Sequence, residues 1–459
     1  MVDLLLENAI LVTMDPRRRI LSDSAVAIED GRIVDVGDTE LLRKKHQAKE
    51  VVDASHMAVL PGFINTHVHL YQNLLKGLGD DTALVDWCNA TLFPLCRVMH
   101  DDSSVHNYDI GYHGALMAML EMIRSGTTCF VGMDGLNPLI CKAMEQTGIR
   151  GFHSFELADR WIPKDFQTAS PEEQLRSAKN IVKEWHGAQN GRIKCMVGPS
   201  APFCCTKELL VMSREFAFEN GLWLNTHLSE TQYEVDVIRK ETGKRPTEFL
   251  HDIGILGPKF LAVHCVWVNE GEINLLRENG VKVSHNPESN MKLGSGVAPV
   301  PEMLREGITV AVATDGCGSN DNLDMFEAMR TAALMHKLST LNPKVISAQK
   351  VLEMATVDAA RAIGEERELG SIEVGKRADL VLVDLDKPHL QPLHDLVRTL
   401  VYCANGADVE TVIIDGKMVY ERGQIKTVNE EKVIQRTKEV TQNAMLRAKG
   451  APSAGPPTG

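Results

Sequence analysis

Apolar and polar positions alternate in short runs over residues 1–59, and such runs predict strands. Leu4 to Val12 forms one, with a turn at Asp15-Pro16. Ala25 to Ile28 and Ile33 to Val36 then flank Asp30-Gly31, a dipeptide that favours a tight hairpin. The same grammar returns near the other end, where Ala378 to Asp384 precedes Thr411 to Ile414, Asp415-Gly416 and Met418 to Tyr420. Two β pieces of one style predict a single small β domain built from both ends of the chain, residues 1–59 and 371–425.

Between these pieces the period changes. Strand-like runs at Thr128 to Met133, Ile193 to Val197, Leu222 to Thr226, Phe260 to His264, Val281 to Ser284 and Thr309 to Thr314 alternate with helical periods. The helical periods include Ile110 to Ser125, Pro138 to Gly148, Leu209 to Asn220 and Ile273 to Asn279. This alternation predicts an α/β fold of parallel βα units over residues 60–370, with a count approaching the eight of a (β/α)8 barrel. Residues 426–459 remain for a C-terminal helix and an Ala/Pro/Gly tail, from Ala451, of disordered composition.

Chemistry gathers at the carboxyl ends of strands in such a barrel. The run from Leu60 ends in Thr66-His67-Val68-His69, and residues two apart on a strand face one side, so His67 and His69 can grip one divalent ion. Three further strands end in His227, His264 and Asp315, and Glu230 follows His227 by three residues. A single histidine at a strand end is more often structural than a ligand; several strand ends of this kind argue for a site.

Composition narrows the alternatives. A net charge of −13, with no basic run longer than Arg17-Arg18-Arg19, argues against nucleic acid or an anionic membrane as partner. No apolar run reaches membrane-spanning length, and no basic and apolar leader precedes the first strand. The ten cysteines show no Cys-x-x-Cys pair, which fits reduced thiols in the cytoplasm. A Gly-x-Ser-x-Gly elbow is likewise missing, so neither redox nor serine-nucleophile chemistry finds support.

The motifs Pro61 to His69, Leu120 to Thr128, Thr226-His227-Leu228-Ser229-Glu230, Ala262 to Val266, Ser284-His285-Asn286-Pro287, Gly294 to Pro301, Thr314-Asp315-Gly316 and Gly370 to Leu380 occur in one order along nearly the whole chain. In this they resemble the amidohydrolase superfamily, in particular its deaminase branch of methylthioadenosine/S-adenosylhomocysteine deaminases, atrazine chlorohydrolase and melamine deaminase. The resemblance implies a distorted (β/α)8 barrel with a small β-sandwich from both termini, and a homo-oligomer. It assigns one metal to His67, His69, His227 and Asp315, and catalytic roles to Glu230, His264 and Asp315. The strand Ile193 to Ser200 has no lysine at its carboxyl end to bridge a second ion, so a single ion is expected. Zinc is the default for these donors, and iron accepts the same set.

The implied reaction is hydrolytic deamination of a small aromatic N-heterocycle. A metal ion lowers the pKa of its water, Asp315 takes a proton, Glu230 protonates a ring nitrogen and His264 holds the attacking oxygen. A barrel keeping metal for structure alone, as a binding protein, has no use for Glu230 and His264 beside it. Where the family's nucleoside deaminases place a Glu, an Arg and a His toward the nucleoside, an ungapped alignment puts Cys96, Phe155 and Ser200. This favours a flatter substrate such as a free base, a pterin or an s-triazine, stacked on Trp87 and Phe155, with adenine nucleosides as the alternative. Asp86 and Glu156 are neighbours able to compensate. The segment Gly316-Cys317-Gly318-Ser319, which follows Asp315, departs from both triazine enzymes; Cys317 and Ser319 are further pocket candidates, and chloride is an alternative leaving group.

Overall fold

Alternating apolar residues pair the first three strands, β1 (Val2–Val12), β2 (Ile20–Glu29) and β3 (Arg32–Asp38), in an antiparallel meander. The computed structural model describes residues 1–105, 108–162 and 169–450, and the predicted tail from Ala451 lies outside them. Asp30 and Gly31 turn the β2 to β3 hairpin with φ of 49° and 75°, the double left-handed conformation that an Asp-Gly pair adopts most readily. β4 (Ala48–Asp53) and β5 (Met57–Pro61) then run parallel to β1.

Eight parallel strands follow in sequence order: β6 (Phe63–Val68), β7 (Thr127–Asp134), β8 (Arg150–Leu157), β9 (Ile193–Pro199), β10 (Leu224–Leu228), β11 (Phe260–His264), β12 (Lys282–His285) and β13 (Val310–Val312). β6 and β7 are buried at every residue, as befits strands covered on both faces. β8 is the barrel strand that periodicity leaves unread. Arg150, His153, Ser154 and Glu156 interrupt its apolar pattern; Arg150, Ser154 and Glu156 meet Asp379, Asn225 and Ser200, and His153 packs against Phe155. The seam between β6 and β13 is closed by Asn65, which donates to Thr314 Oγ1 (2.7 Å) and accepts the Thr314 N–H (3.2 Å). The Asp315 N–H also reaches the His67 carbonyl at 3.1 Å. The seam thus places Asp315 beside the first two histidines.

The chain then returns to the first sheet through β14 (Leu380–Asp384), β15 (Val409–Ile414), β16 (Lys417–Glu421) and β17 (Gln424–Ile425). β14 pairs antiparallel with β5, so the two terminal pieces join in one continuous nine-stranded mixed sheet. Asp415 and Gly416 repeat the Asp-Gly turn with φ of 52° and 74°. At the junction with the barrel, the buried Arg150 donates to both oxygens of Asp379 (2.6 and 3.1 Å) and to Asp415 (3.3 Å). A C-terminal helix (Glu430–Gly450) lies against the barrel, tied by Arg124 to Glu430 and by Arg436 to Asp109. No helix among the described residues is long and apolar enough to cross a membrane.

Candidate active site

The carboxyl ends of β6, β10, β11 and β13 bring His67, His69, His227, His264 and Asp315 together. Ligand atoms of His67, His69 and Asp315, and those of His67, His227 and His264, lie within 4.8 Å of one another. His67 Nε2 is 3.3 Å from Asp315 Oδ1. Asp315 is held by the Ser289 hydroxyl, which donates to Oδ2 at 2.7 Å, and by the Gly316 N–H, which donates to Oδ1 at 2.8 Å.

Two tautomers test whether a cation fits. His69 Nδ1 lies 2.5 Å from the Met133 carbonyl and His227 Nδ1 lies 2.6 Å from the Ser200 carbonyl. A carbonyl only accepts, so each ring keeps a proton on Nδ1, and the two Nε2 atoms, only 3.2 Å apart, are the nitrogens left to bind a cation. Both nitrogens of the fully buried His67 lack a hydrogen-bond partner, and burial pushes its pKa well down, leaving the neutral imidazole that a metal requires. The donor set therefore fits one divalent ion. Lys194, the lysine of β9, sits at its amino end and pairs with Glu365 there.

Glu230 lies just beyond β10, buried, with Oε2 3.8 Å from His264 Nε2. Burial raises its carboxyl to about 7, so it can carry a proton to give near neutrality. His264 donates from Nδ1 to Asn290 Oδ1 at 2.9 Å, which leaves Nε2 aimed between Glu230 and Asp315. Ser229, His264 and Asp315 adopt left-handed φ of 51°, 71° and 62°. Non-glycine residues pay for this conformation, and here it turns the strand exits inward over the site.

A cavity opens from this cluster. Trp87, Ser200 and Ser319 line it, as do His69, His227, Glu230, His264 and Asp315. The remaining pocket candidates lie elsewhere. Phe155 is fully buried with its ring edge-on to His153, and the next residue, Glu156, takes the cavity side because neighbouring strand residues face opposite ways. Cys96 packs behind Tyr71, and burial pushes its thiol to about 12. Cys317 turns toward Asn73 and Glu121. The glycines around it are sterically required: a Cβ at Gly316 would stand 2.1 Å from Gln72 Oε1, and one at Gly318 would stand 2.6 Å from Trp87.

Trp161 and Phe203, edge to face at 5.0 Å, complete an aromatic wall that periodicity does not reveal. Both follow barrel strands, β8 and β9, and this position is the signal that could have found them. Glu156 accepts a hydrogen bond from Ser200 Oγ at 2.9 Å; among the described residues it has no ion-pair partner.

Fold and site together define a metal-dependent (β/α)8 hydrolase. The model of the amidohydrolase family matches residues 58–419, and the chain belongs to that family: it is an enzyme that hydrolyses C–N bonds and uses a divalent metal. It is 42% identical over 448 residues to a 5'-deoxyadenosine deaminase of Methanosarcina acetivorans, spanning 98% of this chain and all of that one. A 5-methylthioadenosine/S-adenosylhomocysteine deaminase of Syntrophobacter fumaroxidans is 39% identical, covering 96% of this chain and 98% of the other. Among solved structures, an adenosine deaminase from Xanthomonas campestris with bound zinc superposes with a TM-score of 0.91 at 31% identity, over 97% of this chain and 99% of that one.

Proposed function

We propose that the chain deaminates the ring of an adenine nucleoside that is apolar at its 5' end, releasing ammonia. The observation that carries this reading is one cavity joining the metal-binding cluster and Glu230 to Glu156, Ser200 and an aromatic wall. His67, His69, His227 and Asp315 would hold the ion, zinc on this donor set, and what it supplies when bound is a water acidic enough to lose a proton near neutrality. His264 Nε2 would accept a hydrogen bond from the attacking water and orient it. Asp315 takes up the proton that the water loses. Glu230 gives its carboxyl proton to a ring nitrogen, which makes the adjacent carbon electrophilic. The water oxygen ends on that carbon, and the amino group departs as ammonia with the protons that Asp315 and Glu230 relay.

Recognition of the nucleoside falls to residues other than Cys96 and Phe155. The Glu156 carboxylate faces the cavity with one oxygen free of Ser200, and it accepts from the sugar hydroxyls. Phe203, Leu84 and Leu92 have no polar side-chain atom for a 5' hydroxyl, and the Trp161 indole N–H is taken by the Tyr233 hydroxyl at 3.1 Å, so this wall suits the 5'-deoxy and 5'-methylthio groups of the relatives' substrates. The same apolar wall favours, as a second reading, a flat free base or s-triazine. Ten free cysteines accord with a reducing cytoplasm, and the family resemblance with a homo-oligomer.

The test is ammonia release by zinc-loaded protein from 5'-deoxyadenosine, 5'-methylthioadenosine, adenosine, adenine, guanine, a pterin and melamine, with chloride release from atrazine alongside. The 5'-modified nucleosides should lead. Turnover confined to free bases or triazines would overturn the reading. Glu156→Ala should lower kcat/KM for the nucleoside about 5- to 150-fold, the equivalent of about 1–3 kcal/mol for lost hydrogen bonds, and leave any turnover of adenine unchanged.

A further inference from the structure

Glu234 is buried in the first turn of the helix Gln232–Thr242, directly after the Ser229-Glu230 turn. Its two carboxylate oxygens accept separate backbone N–H groups, Ser229 N at 2.8 Å and Glu230 N at 3.0 Å. A glutamate three residues past a helix N-cap ordinarily reaches back to the cap's own N–H. Here Thr231 caps the helix through its hydroxyl, and Glu234 reaches past it to the turn that carries Glu230. The turn is strained at Ser229, whose carbonyl accepts the Trp267 N–H at 2.8 Å. Burial pushes the Glu234 carboxyl up to about 8 and no cation among the described residues pairs with it, while the two N–H groups that its oxygens face favour the ionised form, a costly arrangement for a helix cap alone. Only a carboxylate presents two acceptor oxygens to two divergent N–H groups.

We propose that Glu234 is a positioning residue for the deamination: its carboxylate clasps the Ser229 and Glu230 amides and thereby aims the Glu230 side chain at the substrate ring. The inference rests on the role given to Glu230 above. Glu234 touches neither the substrate nor the metal ligands; it acts through the backbone of Glu230. Glutamine at this position keeps the volume and one acceptor, and sets an amide NH2 against the second N–H, so it opens the clasp without leaving a hole.

Steady-state kinetics and metal content of Glu234→Gln, Glu230→Gln and the double variant provide the test. Glu234→Gln should lose at least about tenfold in kcat with KM and bound zinc close to wild type, because the acid is misplaced while the binding groups are untouched. In the Glu230→Gln background the same substitution should change the residual rate by less than about twofold, since the group it serves is gone. A merely structural role predicts equal losses in both backgrounds, and that result overturns the proposal, as does a Glu234→Gln enzyme of full kcat. If Glu234→Gln fails to fold, Glu234→Asp is the second variant. It keeps the charge but is one methylene too short to hold both amides, and it should give a smaller kcat loss with the same dependence on Glu230. An active Glu230→Gln enzyme refutes the reading of Glu230 itself, whereas an inactive Glu230→Gln beside a fully active Glu234→Gln refutes the clasp alone.

Discussion

Replacing Glu230 by glutamine removes a transferable proton and almost nothing else. The side chain is buried and isosteric with its replacement, and it lies outside the groups of ligand atoms that can hold the ion, so metal affinity and fold should persist. Burial places the carboxyl at about 7, so at neutral pH roughly half of the molecules hold the proton. Glutamine can donate a hydrogen bond but cannot give up a proton. General acid catalysis contributes about 10²- to 10⁴-fold, equivalent to about 2.7–5.5 kcal/mol of barrier. His264 Nε2, 3.8 Å from the Glu230 carboxylate, is too far to share its proton directly, so the loss should fall within that range. The assay is ammonia release from 5'-deoxyadenosine under saturating substrate, with bound zinc and the thermal midpoint measured on the same preparation. A kcat within about threefold of wild type would refute the acid role. A loss that tracks missing zinc would instead make Glu230 a group needed for the ion.

Three further outcomes follow from the geometry. Arg150→Met should destabilise the protein by about 3–5 kcal/mol in urea unfolding, because Asp379 is left at a buried junction without its cation, whereas Asp415 keeps Arg377 at 2.8 Å; a shift under about 1 kcal/mol would show that the junction does not depend on this cluster. Burial raises the Glu288 carboxyl from 4.5 to about 8, so the folded protein keeps a proton that the unfolded chain releases. The associated stability is complete below the unfolded value and is lost as pH rises through about 8; Glu288→Gln should therefore lose less stability than wild type between about pH 6 and 9, by an amount on the order of a few kcal/mol, and parallel unfolding curves would contradict this. Gly318→Ala should lower kcat/KM by displacing Trp87, whose ring lies 2.6 Å from the added Cβ, while zinc content stays constant; unchanged kinetics would remove Trp87 from the substrate wall.

Much of the site is legible in the chain because strand ends carry it. His67 and His69 share a face by the two-residue period of a strand, and His227, His264 and Asp315 each close an apolar run, so local pattern suffices to nominate them. The hairpins at Asp30-Gly31 and Asp415-Gly416 are equally local, since their left-handed φ follows from residue type. The assembly of both termini into one sheet is legible too, as a repeated grammar. That β5 and β14 are the strands that join the halves is a matter of pairing at long range.

What the sequence determined by itself, then, is the alternation of strands and helices apart from β8, the α/β class and the residues able to hold metal, because periodicity and residue chemistry are properties of neighbours in the chain. The choice between Phe155 and Glu156 for the cavity was decided only by the barrel, whose register turns one inward to the pocket and the other into the core. Tertiary structure likewise decided the aromatic wall of Trp161 and Phe203, the withdrawal of Cys96 and Cys317, and the clasp of Glu234 on the Glu230 turn. Each depends on which strand exits meet across the barrel mouth and on which buried polar groups find partners there, and no local pattern in the chain records either.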